Sequence, residues 1–461
     1  MDAYELDKKH DLYTKYEADW TFHRAAFEGT EALVDGDYFT QHERESDENY
    51  ERRKTLAISF CLSEAIIELF VQYLFAKDAV RDYGRLDADT LFERFLDDAD
   101  FFETDFDAFL KDSARWASVF GHVGILVDKP AGDAVTRKDE LEAGLYPYCS
   151  RYFPDAIYDW TFERQASGRF ALTYLKLLDE DGKYRIWYAD RWEVWRNDED
   201  DPEPVLEATG ANPLKEIPFV WLYSSKRPDE RGVGVSDIRE IARIDVSLME
   251  NLSQGEEIIN YAAFPMMRMP FLRAGAEDEE EVSPTAILEF DPDLPDSRPD
   301  WLEAKVRDPL DAIADWMDRK IQHTYRSAHA SSVAGVEDQA AKSGIALKRE
   351  FMELGAKLSK KSRLLEHAER SIVRFWGRWQ SIENAEASIE YPREFDIEDL
   401  EADLQNMLTG KALVISQTFH RALSKRAARR ILPGLDQQTK DVIDGEIEAA
   451  DMLAVGEEKE E

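Results

Sequence analysis

Residues 343–380 read SGIALKREFMELGAKLSKKSRLLEHAERSIVRFWGRWQ, the longest stretch of helical periodicity in the chain. An apolar side chain recurs every seven residues through it, and a second apolar series fills the offset positions. Lys361 is the one polar residue in that second series. The pattern predicts one continuous packing helix from Ser343 to about Gln380, roughly 57 Å long at 1.5 Å per residue. The first series is Phe351, Leu358, Leu365, Ile372 and Trp379, and the second is Leu347, Leu354, Ala368 and Phe375.

This helix is basic, although the chain is strongly acidic. Between Lys342 and Arg378 there are ten basic and four acidic residues, whereas the whole chain has a net charge of −39. One interpretation is charge balance, in which the basic residues pair with acidic neighbours of the same or an adjacent subunit. The other is contact with a polyanion, through phosphate contacts that are independent of sequence and sensitive to salt. The candidate basic contacts are Lys342, Lys348 and Arg349, with Arg421 and Lys425 from a second cluster.

Composition sets the broad class. The chain has 461 residues, 43% hydrophobic residues and two cysteines, which predicts a folded protein of several regions in a reducing compartment. The most apolar run, Leu56–Phe75, carries Glu64, Glu68 and Gln72 four residues apart. That spacing places a polar stripe on one helix face, so the run is expected to be an amphipathic core helix and not a membrane span.

Acidic residues occur in runs, at Asp198–Asp201, at Glu277–Glu281 and in the tail from Glu457. They indicate either a solvated, salt-adapted surface or a surface that repels polyanions. Both interpretations are compatible with a nucleic acid that is enclosed by the protein, provided that local basic groups offset the repulsion.

The order of patterns predicts an α+β fold that is mostly helical. Residues 4–120 have helical periodicity, with one helix expected over Asn49–Phe75, and His122–Asp128 is a short buried strand. Residues 146–223 have strand periodicity, with a hairpin turn at Asp179–Gly182.

Two further helices flank a proline-rich segment. The first starts at Ser236, where Asp237 and Glu240 have the spacing of a capping box. The second starts at Asp308-Pro309, an N-cap residue followed by proline at the first helical position. Between them, residues 265–307 hold six prolines, which excludes long helices and indicates a small module of loops and strands. A strand over 386–395 and two or three helices complete the chain.

Sequence motifs of catalysis and cofactor binding are missing. The chain has no G-x-x-x-x-G-K-[ST], no G-x-S-x-G and no H-E-x-x-H, and its eight histidines lack metal-ligand spacing. Gly232-Val-Gly234 lacks the third glycine of a dinucleotide motif, so a turn into a capped helix is expected. We therefore expect no enzyme activity, no cofactor and no metal.

Five stretches, in this order, resemble the portal proteins of tailed double-stranded DNA bacteriophages. They are spread over nearly the whole chain. They are WTFHRAAFEGTEALVDGDYFTQHERESDENYERR (20–53), FLKDSARWASVFGHVGILVDKP (109–130), IPFVWLYSSKRPDERGVGVSDIREIARIDVSLMENLSQ (217–254), KSGIALKREF (342–351) and SIEYPREFDIEDL (388–400).

The resemblance implies a ring of identical subunits, usually twelve, around a central channel at one capsid vertex. Its regions would be a wing (1–235 and 344–395), two stem helices (236–264 and 308–330), a clip (265–307), a tunnel loop (331–343) and a crown (396–461). The protein would be located in the virion, and in the host cytoplasm during assembly.

The resemblance also implies partners and sites. The tunnel loops would line the channel and let double-stranded DNA slide without sequence specificity. The acidic clip would dock a terminase motor, which supplies ATP hydrolysis, and later a head–tail adaptor, while the major capsid protein surrounds the ring. The implied channel residues are Ser331, Ser332, Gly335, Glu337, Asp338, Gln339 and Lys342. The implied docking residues are Glu277, Asp278, Glu279, Glu280 and Glu281.

Two other functions remain compatible with the sequence. One is another oligomeric virion or scaffold protein, such as a head–tail adaptor, although such a protein should lack two stem-like helices around a proline-rich segment. The other is an acidic cytosolic enzyme without a recognised motif, which should bind a small ligand and form no large ring.

Overall fold

A computed structural model defines the architecture. It describes residues 3–130, 132, 136–197, 204–263, 266–268, 300–302, 306–330, 344–382, 387–393 and 395, together with short pieces between 421 and 447. Helices and antiparallel sheets are combined in one chain, so the predicted α+β class is confirmed. No described helix is long and apolar enough to span a membrane.

The structure describes eight helices in the first half of the chain. They are α1 (Ala3–Asp7), α2 (Asp11–Glu28), α3 (Thr30–Asp35), α4 (Asp47–Leu56), α5 (Leu62–Leu74), α6 (Thr90–Asp97), α7 (Phe106–Phe120) and α8 (Arg137–Ala143), with 3-10 turns at Gly84–Leu86 and Pro154–Ala156. Helices α2, α5, α6 and α7 bury their aromatic and aliphatic faces in one continuous core.

The prediction of one helix over Asn49–Phe75 was wrong, because the chain breaks between α4 and α5. Cys61 adopts a left-handed conformation with a φ of 49°. The Asp245 carboxylate then accepts hydrogen bonds from the backbone N–H groups of Leu62 and Ser63, at 3.0 and 2.9 Å. These are the first free donors of α5, so a residue distant in sequence provides its N-terminal cap.

Two small sheets join the helical body. Strand β2 (His122–Asp128) lies between β3 (Tyr148–Tyr152) and β9 (Phe219–Tyr223), antiparallel to both, which confirms the predicted buried strand. Strand β1 (Val80–Asp82) pairs with β12 (Ser388–Glu390), so the expected strand over 386–395 is shorter than predicted.

The middle of the chain forms a five-stranded antiparallel meander. Its strands are β4 (Ile157–Arg164), β5 (Phe170–Leu178), β6 (Tyr184–Tyr188), β7 (Arg191–Arg196) and β8 (Val205–Ala211), ordered as in the sequence. Leu178 pairs with Tyr184 across the predicted turn at Asp179–Gly182, so the hairpin is confirmed. Lys176 of β5 donates hydrogen bonds to the carbonyls of Glu5 and Leu6, which ties the N-terminal segment to this sheet.

Helices α9 (Ile241–Ala263) and α10 (Arg307–Ser327) pack against each other as an antiparallel pair. Ser247 and Asn251 contact Lys320, whereas Gly255, further along α9, lies beside Leu310, nearer the start of α10. Beyond the end of α9, strands β10 (Met266–Arg268) and β11 (Asp300–Leu302) pair antiparallel. The pairing of β10 with β11 therefore brings the chain just after α9 close to the chain just before α10.

Both predicted N-caps of this pair were wrong. Helix α9 begins at Ile241, beyond the proposed capping box, because the Asp237 carboxylate is engaged elsewhere. Helix α10 begins at Arg307 after Val306, whose side chain makes no capping hydrogen bond, so Asp308 lies within the first turn.

Helix α11 (Gly344–Trp379) is a single helix of 36 residues, which confirms the predicted long helix. Of the two apolar series, every described member is buried except the half-buried Trp379. Trp376, also fully buried, meets the ring of Phe92 of α6 edge to face, with centroids 4.9 Å apart. The heptad pattern thus packs against the body of the same chain.

Residues 396–461 form a second compact unit. Within it the structure describes helical residues at Arg421, at 424 and 425, at Thr439 and over 442–447. The rest of the predicted crown helices lies outside the described residues.

Candidate functional site

The lysine that interrupts the apolar series of α11 has a buried partner. The Lys361 ammonium forms an ion pair with the Asp237 carboxylate, and each side chain is only 7% exposed. The Lys361 ammonium also donates hydrogen bonds to the hydroxyl oxygens of Ser118 and Ser224, at 2.9 and 2.5 Å. A buried ammonium group is stable only where acceptors such as these bind its protons. The contacts of Lys361 therefore connect α11 to the segment that leads into α9.

A second ammonium approaches the same carboxylate. Lys357 lies one turn earlier on α11, with its Nζ 3.1 Å from Oδ1 of Asp237. Burial alone would raise the pKa of Asp237, but Lys361 and Lys357 hold it well below its usual range. Asp237 is therefore ionised at neutral pH and joins two turns of α11 to the start of the α9–α10 pair.

The α9–α10 pair has a polar clasp of its own. The Lys320 ammonium of α10 donates to Oγ of Ser247 and Oδ1 of Asn251 on α9, both at 2.6 Å. Burial lowers the pKa of Lys320. The clasp fixes the register of the two helices, because these two acceptors are one turn apart.

Substituting Lys320 with alanine is expected to lower the free energy of unfolding by about 1 to 2 kcal/mol, since two hydrogen bonds from a charged donor are lost. The matched control is Arg319→Ala, whose exposed side chain makes no contact described for this chain; its effect should stay within about 0.5 kcal/mol. Urea unfolding of both variants measures the difference. Equal effects at the two positions would contradict the clasp.

Other basic residues of α11 also pair within the chain. Arg374 and Arg378 both bind the Glu216 carboxylate, and the first of these contacts is 2.9 Å long. Burial alone would raise the pKa of Glu216, but these two guanidinium groups lower it. Arg370 lies 3.5 Å from Glu366 one turn away. The charge-balance interpretation is therefore confirmed for five basic residues of α11, the two lysines on Asp237 included.

The residues implied as channel and docking sites lie outside the described part of the chain. These are Ser331, Ser332, Gly335, Glu337, Asp338, Gln339 and Lys342, and Glu277, Asp278, Glu279, Glu280 and Glu281. Lys348 and Arg349 belong to the first turns of α11, where the structure describes the backbone but not the side chains. In the second unit, Lys425 lies 3.8 Å from Asp444, and Arg421 also has an interaction partner.

An open cleft of 1210 Å³, which no sequence pattern predicted, lies beside the C-terminal half of α11. The β4–β5 hairpin, strand β9, the segment 225–231 and α11 line it. Its signal in the sequence was weak: SKRPDER (225–231) has three basic and two acidic residues in a strongly acidic chain. Among the described residues, no group of histidine, cysteine and acidic side chains could hold a metal ion.

Comparison with known proteins gives structural likeness only. No protein-family model matches the chain, and no curated protein matches it. The chain is similar to one in the neck of an empty GTA particle computed with C6 symmetry, with 12% identity and a TM-score of 0.46, covering 78% of this chain and 89% of that one.

Two further solved structures show a comparable likeness. A chain in the virion of a native gene transfer agent (GTA) particle has 12% identity and a TM-score of 0.46, covering 89% of this chain and 99% of that one. A chain in the neck of a native GTA particle computed with C12 symmetry has 10% identity and a TM-score of 0.44, covering 81% and 90%.

Proposed function

We propose that this chain is a structural subunit of a phage-type virion, and specifically the portal subunit that forms a ring around the DNA channel at one capsid vertex. The observation that carries the proposal is the antiparallel α9–α10 pair, which is closed at one end by β10 and β11 around a proline-rich segment. In this proposal the two helices are the stem implied by the sequence resemblance, and the proline-rich sequence inserted between them is the clip.

The position of α11 supports the same function. Residues 328–343, which include the implied tunnel loop 331–343, connect α10 to α11, and α11 is anchored in the core over much of its length. A loop held between two anchored helices is suited to a fixed place at a channel wall. In this proposal its small and polar residues line the pore, where Glu337 and Asp338 repel phosphates and Lys342 attracts them weakly.

The acidic composition of the chain also has a role in this proposal. A narrow channel that bound DNA tightly would stop its movement, so a chain with a net charge of −39 favours sliding. The described ion pairs of α11 fit this view, because they neutralise five of its basic residues inside the subunit. Under the proposal the chain is not an enzyme; terminase supplies ATP hydrolysis, and the acidic run Glu277–Glu281 helps to dock terminase and the head–tail adaptor.

Native mass spectrometry of the purified chain tests this function. The expected result is a closed oligomer of about twelve copies, since cyclic symmetry lets one pair of complementary faces close a ring. A monomer or dimer at every protein concentration and salt concentration would overturn the proposal. An acidic enzyme predicts that second result, together with a rise in melting temperature on binding a small ligand.

A further inference from the structure

The cleft beside α11 carries cations that no carboxylate in the described part of the chain neutralises. Arg169 of the β4–β5 turn, Lys215, Lys226 and Arg231 line it, and all four side chains are exposed. None of them forms an ion pair there, in contrast to the paired cations of α11. Burial and the nearby charges of Lys226, Arg370 and Arg374 lower the pKa of His367 at the cleft wall, in agreement with a positive local potential.

The carboxylates of the cleft are already engaged. Glu216 binds Arg374 and Arg378. Glu230 accepts hydrogen bonds from the Lys15 ammonium at 2.5 Å and the Tyr16 hydroxyl at 2.6 Å. The exposed cations are therefore available to an anionic group from outside.

An aromatic floor adds a second recognition element. Phe219, Trp221 and Tyr223 of β9 line the cleft, and Trp221 meets Phe219 edge to face at 5.1 Å. The indole N–H of Trp221 is buried and has no hydrogen-bond partner among the residues that the structure describes. These three rings place an apolar surface beside the exposed cations of the cleft.

The sequence between the paired ends of β7 and β8 is acidic. Arg164 pairs with Phe170, so the β4–β5 turn marks the end of the sheet that borders the cleft. Arg196 pairs with Val205 at the other end, so residues 197–204, sequence NDEDDPEP, connect β7 and β8 there. Head-to-tail contact between copies requires complementary surfaces at two separate places, and this arrangement supplies both.

We propose that the cleft binds the acidic run 197–204 of a second copy of this chain, which forms the contact between neighbouring subunits. The second copy in this inference rests on the proposed function, because it is the neighbour in the ring.

A copy cannot readily fill its own cleft. The six residues of β7 separate the two ends of the sheet by about 20 Å. An eight-residue connection anchored at both ends projects at most about 14 Å. Duplex DNA is the less suitable occupant, because the net charge of −39 repels a long polyanion whereas a short acidic segment meets mainly the local cations.

Peptide binding tests the cleft without requiring a ring. The receptor is the full chain with its own run neutralised by Asp198→Asn, Glu199→Gln, Asp200→Asn and Asp201→Asn. The probe is a fluorescent NDEDDPEP peptide, measured by anisotropy at low salt. We expect saturable binding that weakens with salt, and binding about tenfold weaker for the amide peptide NNQNNPQP and for the receptor that also carries Lys226→Glu and Arg231→Glu. Equal binding by either of these controls overturns the inference.

Charge exchange tests the same contact in the assembled protein. The variant Lys226→Glu/Arg231→Glu should lose most of its ring, and adding Asp198→Lys/Asp200→Lys to it should restore the ring. The variant Lys111→Glu/Lys138→Glu changes as many charges elsewhere and should assemble normally.

If the wild type forms rings and the cleft variant does so equally well, the inference fails while the proposed function stands. If the wild type forms no ring but the peptide binds as expected, the proposed function fails and the cleft remains a binding site for acidic segments. Tighter binding of a short DNA duplex than of the peptide overturns the inference.

Discussion

Replacing Asp237 with alanine is expected to lower the free energy of unfolding by about 3 to 5 kcal/mol, because the change leaves the buried Lys361 ammonium without a counter-charge. Lys361 is 7% exposed, and Asp237 is its only carboxylate partner among the described residues. Ser118 and Ser224 accept hydrogen bonds from Lys361 but do not neutralise its charge. Urea unfolding of dispersed subunits measures the loss.

Two controls separate this cause from a general loss of charge. Asp229→Ala removes an exposed carboxylate nearby in the sequence and should change the free energy of unfolding by no more than about 0.5 kcal/mol. The double variant Asp237→Ala/Lys361→Met removes both charges and should recover about half of the loss or more. A double variant as unstable as Asp237→Ala would contradict the stranded-charge explanation.

The Asp237 carboxylate also makes the free energy of unfolding depend on pH. The pKa of Asp237 lies well below its value of about 3.9 in an unfolded chain. Its contribution is thus fully present above that unfolded value and is lost as the pH falls towards the folded value. We expect Asp237→Asn to lose less stability than the wild type between about pH 5 and pH 2. If the free energy of unfolding falls with pH equally in the two proteins, the result would contradict a stabilising ion pair at Asp237.

Gly234→Ala is expected to destabilise the chain by about 3 kcal/mol or more. A Cβ at this position would lie 1.9 Å from the carbonyl oxygen of Gly121, so the two backbone segments must separate. That separation would disturb the hydrogen bonds from the Gly234 N–H to Nδ1 of His122, at 3.2 Å, and from the Ser224 N–H to the Gly121 carbonyl, at 2.9 Å.

Gly355→Ala is the matched control. Gly355 lies within α11, and an added Cβ would meet nothing within 4 Å. Alanine has the higher helix propensity, so this change should be neutral or should stabilise by up to about 1 kcal/mol. Thermal and urea unfolding compare the two variants, and a mild effect at Gly234 would show that the close approach to Gly121 is not tight.

The sequence predicted the elements whose signals are local. The heptad pattern of α11, the buried strand His122–Asp128 and the hairpin at Asp179–Gly182 are all present, because periodicity and turn residues determine them over short stretches. The paired helices around the prolines were predicted for the same reason.

The errors arose where distant residues interact. The apolar run from Leu56 suggested an unbroken helix, yet Asp245, 183 residues from Leu62, caps a new helix there. Asp237 resembled a helix cap and Lys361 resembled a flaw in the heptads, whereas the fold pairs them. Each residue was anomalous alone, and only the tertiary contact explains both.

The candidate site was only partly accessible to sequence reasoning. The implied channel loop followed from a resemblance and remains a prediction, whereas the cleft required the structure. Arg169, Lys226 and the aromatic residues of β9 are separated along the chain and are brought together by the sheet and α11. No local sequence pattern indicates that proximity.

Cryo-electron microscopy of the assembled protein shows directly where residues 331–343 lie. We expect a closed ring with an axial pore, in which residues 331–343 of every copy face the axis and α11 runs outward from them. A ring without a pore, or one in which residues 331–343 lie on the outer rim, would contradict it.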